Sequence, residues 1–396
     1  MRRKRGKMRA SRGVLLLVLL GVAGLTALVH SPPGRNRAPE DTALDLFQSE
    51  PDIRALLRSL KPGESLRIGE PGAKICTDGA DVAVASNTLF VWNGQQLVWG
   101  DQALRLPCTL AVSGSDAIPL DGGAWPGEVH LERADANLLV IAFTPLEEYL
   151  VGVVQSEMGA SFAPAALEAQ AIASRSYAAT QIANRKSARF DVDTTQLTQV
   201  WRGSSNPSLK VRRAVEATSN QVLCHKGKLV EGVFSATCGG TTRSASEAFG
   251  GRSIPPLDGV ECNHCAAAPF ATWSAERSAT AVAASLGVSG AISSVGGLEF
   301  TPSGRLASAV VHCGSGPVSV SAHALKRALG PEARSTWMTH LRTEGATVYA
   351  DGRGFGHGVG LCQHGAGSMA SRSGWSAAAI LAHYYPGAKL ARLYRP

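Results

Sequence analysis

Residues in three places have types and spacings that could do chemistry. Leu146, Leu150 and Val153 recur at i, i+4 and i+7, and the next step of that stripe, i+11, falls on Glu157. A carboxyl group on an apolar helical face loses part of its hydration. That disfavours its charge and lets it hold a proton near neutrality, as a general acid must. The plain alternative is an acid that pairs with a nearby arginine or faces solvent where the helix frays. Cys238, Cys262 and Cys265 make a second set, in which Cys262-Asn-His-Cys265 has the two-residue spacing of a metal knuckle or a redox pair. A structural zinc ion needs a fourth ligand, for which Cys224, His264 and His357 are candidates. Disulfide pairing among the same cysteines is the rival, favoured by an oxidising exterior. No His-Glu-x-x-His pattern is present, so a metal here is structural rather than catalytic. The third place is the glycine-rich stretch 352–367. Its glycines at 352, 354, 356, 358 and 360 fit neither a dinucleotide fingerprint nor a P-loop. Alternate glycines suit backbone packed closely on backbone or on a ligand, with His357, Gln363 and His364 projecting as partners for sugar hydroxyls. A tight structural crossover is the alternative.

The elements that must position these groups are legible in outline. Pro145 to Met158 reads as an amphipathic helix, on which Glu147 and Glu148 lie off the stripe and face solvent. Pro164–Asn184 reads as a second helix with a face of small residues (Leu167, Ala171, Ser174, Ala178) and with Arg175 and Tyr177 near its middle. Asn206–Thr218 is a third helix started by Pro207, and Ala322–Leu329 a later one. Val222–His225 and Leu229–Ser235 bracket Lys226-Gly227 as a hairpin. Short runs at Val82–Ala85, Leu89–Trp92, Leu97–Trp99 and Leu138–Phe143, separated by turn signals, read as strands. Cys76 and Cys108 fall among them, as a local disulfide or as two free thiols. A short helix is expected around Thr42–Leu60. The fold class is α+β.

The chain has 396 residues, 44% of them hydrophobic and 18% charged, which excludes a wholly disordered or collagen-like protein. Seven basic residues between Arg2 and Arg12 account for most of the net charge of +8; the remainder carries about +1. No basic body remains to bind nucleic acid. An apolar run, Val14–Val29, follows that cluster, the arrangement of an export signal or a signal anchor. The run falls just short of the roughly 17–25 residues that span a bilayer as a helix, and no clear cleavage site follows it. The positive-inside rule puts residues 1–13 in the cytoplasm and the body on the extracytoplasmic face of the membrane, anchored, or exported if the segment is cleaved.

Several blocks resemble the stage II sporulation protein D family, the SpoIID/LytB domain. They are Pro145–Met158 with Ala165–Tyr177, Phe234-Ser-Ala-Thr-Cys-Gly-Gly240, Gly352–Ala366 and Ala379–Gly387. They cover roughly 135–392. The chain then divides into a basic segment (1–13), a signal anchor or signal peptide (14–30), a linker (31–65), a β-rich part (66–134) and a SpoIID/LytB-like domain (135–396). The resemblance implies a lytic transglycosylase that cuts peptidoglycan glycan strands stripped of stem peptides. Its catalytic acid matches Glu157, and its metal-associated thiol block matches Cys238. Other members are named as enhancers of a cell-wall amidase, so the alternative is a murein-binding module with no chemistry of its own. Where the family often has His, this chain has Ser235, and the Cys262/Cys265 pair is a natural replacement ligand. Arg175, Tyr177, Gln199, His357 and Gln363 are expected to line the groove, with no organic cofactor. A hydrolysing muramidase would need a second carboxylate, such as Asp191 or Asp193. Thiol–disulfide exchange by the cysteine set is the remaining reading.

Overall fold

The computed structural model describes residues 43–395, apart from 69–72, 78–79, 86, 113–116, 195–198 and 204–206. They form the expected mixture of helices and strands. The strand Asn137–Pro145 is an unbroken apolar run, and Leu138 to Ala142 are all buried. It pairs antiparallel with Glu128–Ala134 on one side and Asp52–Leu60 on the other. These belong to a seven-stranded sheet in the order Val192–Asp193, Asp52–Leu60, Asn137–Pro145, Glu128–Ala134, Cys108–Val112, Ala73–Thr77, Ala80–Ala83.

The helix expected around Thr42–Leu60 is not formed. Ala43–Phe47 and Asp52–Leu60 are strands within what reads as a linker. Tertiary pairing overrides the local pattern. Asp52–Leu60 buries Ile53 and Ala55, and Arg54 is gripped by Asp191, which accepts its backbone N–H at 2.8 Å and its guanidinium at 2.6 and 3.1 Å.

Helix α1 (Leu146–Glu157) follows the central strand without a loop. Gly159, at φ +70°, ends it by donating its N–H to the Val154 carbonyl. Helix α2 (Pro164–Asn184) is buried on nearly every side, which its small residues permit. Helix α3 (Leu209–Ala217) starts at the N-cap Ser208, one residue beyond Pro207. The hairpin after it turns at Lys226 and Gly227, both at positive φ, but its second strand, Lys228–Leu229, is short. Helices α4 (Ala245–Phe249), α5 (Ala279–Leu286), α6 (Ala322–Leu329), α7 (Gln363–Ser373) and α8 (Ala377–Tyr384) follow. Around α2 pack α1, α3, α7 and α8.

There are two hydrophobic cores among the described residues. One runs from Ile53 to Leu393 and joins the β-rich part to α1–α3, α7 and α8 in a single interior. The other lies wholly within Trp273–Ala350 and is built from two three-stranded sheets with α5 and α6. This unit is inserted between Cys265 and Cys362. Residues 1–42, with the basic cluster and the apolar run, lie outside the described residues, and so does the side chain of Cys76; Cys108 carries a free, buried thiol. Among the described residues no helix is long and apolar enough to cross a membrane.

Candidate active site

Two strand pairings bring distant segments together. Phe234–Ser235 runs parallel to Leu361–Cys362, and Thr237 bridges to Phe355. Gly360, at φ +67°, makes the first possible: a Cβ there would lie 2.0 Å from the Val233 carbonyl oxygen. The alternate glycines thus mark close backbone packing, as their spacing suggests. The 234–238 segment, the glycine-rich loop and the end of α1 together wall a cleft of about 650 Å³.

Glu157 sits in this cleft at the last residue of α1. Burial raises its pKa, opposed by two donors: the Val200 N–H at 2.9 Å to Oε1 and the Gln363 amide at 3.2 Å to Oε2. The C-terminal end of a helix dipole is itself unfavourable to an anion. Position and burial thus both favour the protonated form. Trp201 holds the Val200 segment in place. It packs between Tyr149 and Trp125 at ring distances of 5.0 Å and lies against Gly152, where a Cβ would meet the indole at 2.4 Å.

Tyr177, His357 and Gln363 line the cleft with Glu157. Burial pushes the Tyr177 hydroxyl up to about 12, so it stays a donor. His357 Nδ1 accepts the Val359 N–H at 3.0 Å, and the ring also bonds the backbone of Phe234, so it ties two backbone segments together. Burial and then Arg243 push the ring down to about 4, which keeps the imidazole neutral. Arg243 Nε also donates to the His357 carbonyl at 2.8 Å and fixes the loop.

The other expected groove residues lie elsewhere. Arg175 is fully buried and bidentate to Glu147 at 2.6 and 2.9 Å, so Glu147 does not face solvent. Glu148 pairs with Arg212 at 2.7 Å. An arginine amid small residues on a central helix needs a carboxylate partner, and α1 supplies one. Gln199 is buried behind the cleft, between Tyr149 Oη and the Ser174 carbonyl. There it anchors the segment that presents the Val200 N–H. Asp191 is consumed by Arg54, and neither it nor Asp193 lines the cleft. Sequence reasoning missed Glu231, Ser235, Phe249 and Arg202, which do.

Beside the cleft, Cys238, Cys262, Cys265 and Cys362 converge, with all four buried Sγ atoms within 4.8 Å of one another. The fourth sulfur is Cys362. Cys224, on the strand Gln221–His225, is buried outside the group, and His264 and His357 also lie outside it. All the described cysteines are free, with Cys238 and Cys265 Sγ 3.5 Å apart. Tetrahedral zinc–thiolate bonds of about 2.3 Å set neighbouring sulfurs roughly 3.8 Å apart, so the cluster has the size and chemistry for that ion. Its surroundings suit thiolates as well. Cys362 Sγ accepts the Cys238 and Gly365 N–H groups at 3.3 and 3.4 Å, and Tyr384 Oη lies 3.0 Å from Cys262 Sγ. The thiols share their hydrogen bonds, which draw Cys265 below its usual range and hold Cys238 and Cys362 above theirs.

An α+β chain with a half-buried carboxyl in a cleft, beside a four-cysteine cluster, is the class that fold and site define. The family model described as "SpoIID: Stage II sporulation protein" matches residues 134–225. The stage II sporulation protein D of Bacillus subtilis is 31% identical over 266 residues, covering 62% of this chain and 74% of that one. An uncharacterized protein of Brachyspira hyodysenteriae is 30% identical over 259 residues, covering 64% and 69%. An amidase enhancer of Bacillus subtilis is 28% identical over 330 residues, covering 70% of this chain and 45% of the relative. The chain belongs to the stage II sporulation protein D family.

Proposed function

We propose that this protein is a lytic transglycosylase that cuts the β-1,4 bond between N-acetylmuramic acid and N-acetylglucosamine in peptide-stripped glycan strands. The observation that carries the reading is the Glu157 carboxyl, protonated more readily than usual, in a cleft with Tyr177, His357 and Gln363. Glu157 protonates the glycosidic oxygen. The C6 hydroxyl of the muramic acid attacks C1, and Glu157, now a carboxylate, takes up that hydroxyl's proton. The product ends in a 1,6-anhydro sugar. Intramolecular attack gains from proximity and needs no ordered water. The neutral His357 ring and the Tyr177 hydroxyl bind sugar hydroxyls and amides, while Gln363 and Val200 orient the acid. Cys238, Cys262, Cys265 and Cys362 hold a structural zinc ion, which ties the 238 and 362 segments together. The apolar run Val14–Val29 carries the body to the outer face of the membrane.

The amidase-enhancer relative favours a second reading, in which the cleft binds murein and recruits an amidase. Incubation of the full chain with amidase-treated glycan strands, read by mass for anhydro ends, separates the two. Wild type makes anhydro ends, and Glu157→Gln loses ~10²–10⁴-fold in rate. Because burial raises the Glu157 pKa, activity persists to higher pH than for an ordinary carboxylic acid and falls as pH rises through it. Equal product from wild type and Glu157→Gln overturns the acid assignment; binding without product supports the second reading.

A further inference from the structure

The cleft holds a second carboxyl group for which a single-acid mechanism has no task. Glu231 follows the strand Lys228–Leu229 and lines the same cavity as Glu157, Tyr177 and His357. Its place is rigid. The next residue, Gly232, lies so close to α2 that a Cβ would meet the Ala173 carbonyl oxygen at 2.1 Å. Gln181, in the last turns of α2, donates its amide to Glu231 Oε1 at 2.9 Å. Among the described residues no cation pairs with Glu231 and no donor bonds its other oxygen. Burial raises its pKa. A half-buried carboxylate held by one neutral amide is costly to keep for packing alone. The same segment brings Ser235 into the cleft, 6% exposed, with a buried hydroxyl that no protein group satisfies. One wall thus holds a carboxylate with a single amide donor and, beneath the surface, a hydroxyl with no protein partner.

We propose that Glu231 is the general base of the reaction, so that acid and base work is divided between two carboxyl groups. The inference rests on the lytic transglycosylase reading and moves one task away from Glu157. Glu157 gives its proton to the glycosidic oxygen as the C1–O4 bond breaks, and the electron pair leaves with O4. Glu231 takes the C6 hydroxyl proton as the O6–C1 bond forms. The cycle leaves Glu157 ionised and Glu231 protonated, and one proton exchange with solvent resets both. Glu231 attached to a positioned amide resembles the base half of an ordinary two-carboxylate glycosidase, with the sugar's own hydroxyl in place of water.

The test uses the full chain on amidase-treated glycan strands, with anhydro ends counted across pH. Glu231→Gln keeps the Gln181 contact and is expected to bind glycan as wild type does, to lose ~10²–10⁴-fold in kcat, and to lose the acid limb of the rate profile. Added formate, a small external base, restores part of the rate to Glu231→Gln and none to Glu157→Gln. Gln181→Leu removes the donor that favours the anion. It is expected to move the acid limb to higher pH, and it carries the test should Glu231→Gln fail to fold. Activity of Glu231→Gln within about threefold of wild type, or an acid limb unmoved in both variants, overturns the proposal while leaving Glu157 as sole catalyst. A wild type that forms no anhydro ends, or a fully active Glu157→Gln, removes the underlying reading together with it.

Discussion

Cys362 has two duties that its neighbours disguise. Its sulfur caps the N-terminus of α7 by accepting the Gly365 N–H, and it completes the four-sulfur cluster. If the cluster holds zinc, Cys362→Ser loses most of the bound metal and lowers the thermal midpoint, whereas Cys224→Ser retains one zinc per chain. Metal analysis and melting of the purified chain check this; zinc loss in Cys224→Ser with none in Cys362→Ser reverses the ligand assignment. The cap alone is worth only ~1 kcal/mol, so a larger fall in Cys362→Ser marks the metal. Glu157 was legible because helical spacing puts it on the apolar stripe. Cys238, Cys262 and Cys265 were legible because two of them sit in a knuckle. Cys362 was not, because nothing in one dimension pairs it with residues about a hundred positions earlier. The hairpin made Cys224 a natural partner of Cys238, but the second strand ends at Leu229 and the chain departs before facing that cysteine again. Arg175 failed for the opposite reason: a polar residue in a recognisable block reads as groove-lining until its carboxylate partner on α1 is seen.

Helices announced themselves better than pairings did. Pro164–Asn184 and Ala322–Leu329 have the bounds their sequence suggests, because helix signals are local. Asp52–Leu60 does not, because only its neighbours in the seven-stranded sheet decide its conformation. The same dependence governs the short parallel pair of Phe234–Ser235 with Leu361–Cys362, which holds Gln363 against Glu157. Gly360→Ala tests that element. Alanine there takes a φ that L residues rarely adopt, and its methyl group has a carbonyl oxygen in its way, so destabilisation of at least ~2 kcal/mol is expected in a denaturant titration. Activity on glycan falls further than stability alone accounts for, since Gln363 and Ser235 both move. Gly227→Ala is the control: it also sits at positive φ, +74°, but a Cβ there meets nothing within 4 Å. Its stability loss is smaller, and its activity per folded molecule matches wild type.

At the scale of the whole molecule, the inserted unit with its own core poses a question the sequence leaves closed. Its strands and α6 are readable, yet no linker or composition shift announces that Trp273–Ala350 packs only on itself. What ties it to the site is a buried polar junction. Arg305, 2% exposed and stacked over Trp337 at 4.4 Å, donates Nη2 to the Cys238 carbonyl at 3.1 Å and to the Thr241 carbonyl at 2.8 Å. Burial pushes its guanidinium down to about 10, which still leaves it charged at neutral pH. Ser303 donates to Glu247, Glu247 pairs with Arg243 at 3.6 Å, and Arg243 holds the His357 carbonyl. The unit therefore reaches both the cysteine segment and the histidine loop through this junction, and Arg334 adds a bond from its carbonyl to the Gly356 N–H. Arg305→Met fills much of the space but leaves two carbonyls without their charged donor, at a cost of ~2–3 kcal/mol. In hydrogen exchange the amides of 237–243 and 354–360 are expected to lose protection, while those around Ala309 and Val348 keep theirs, because that core closes without the junction. Arg305→Lys recovers the charge and only part of the protection, since an ammonium cannot stack on Trp337 and reach both carbonyls as the planar fork does. Uniform loss of protection in both cores would instead make the inserted unit and the main body one cooperative structure.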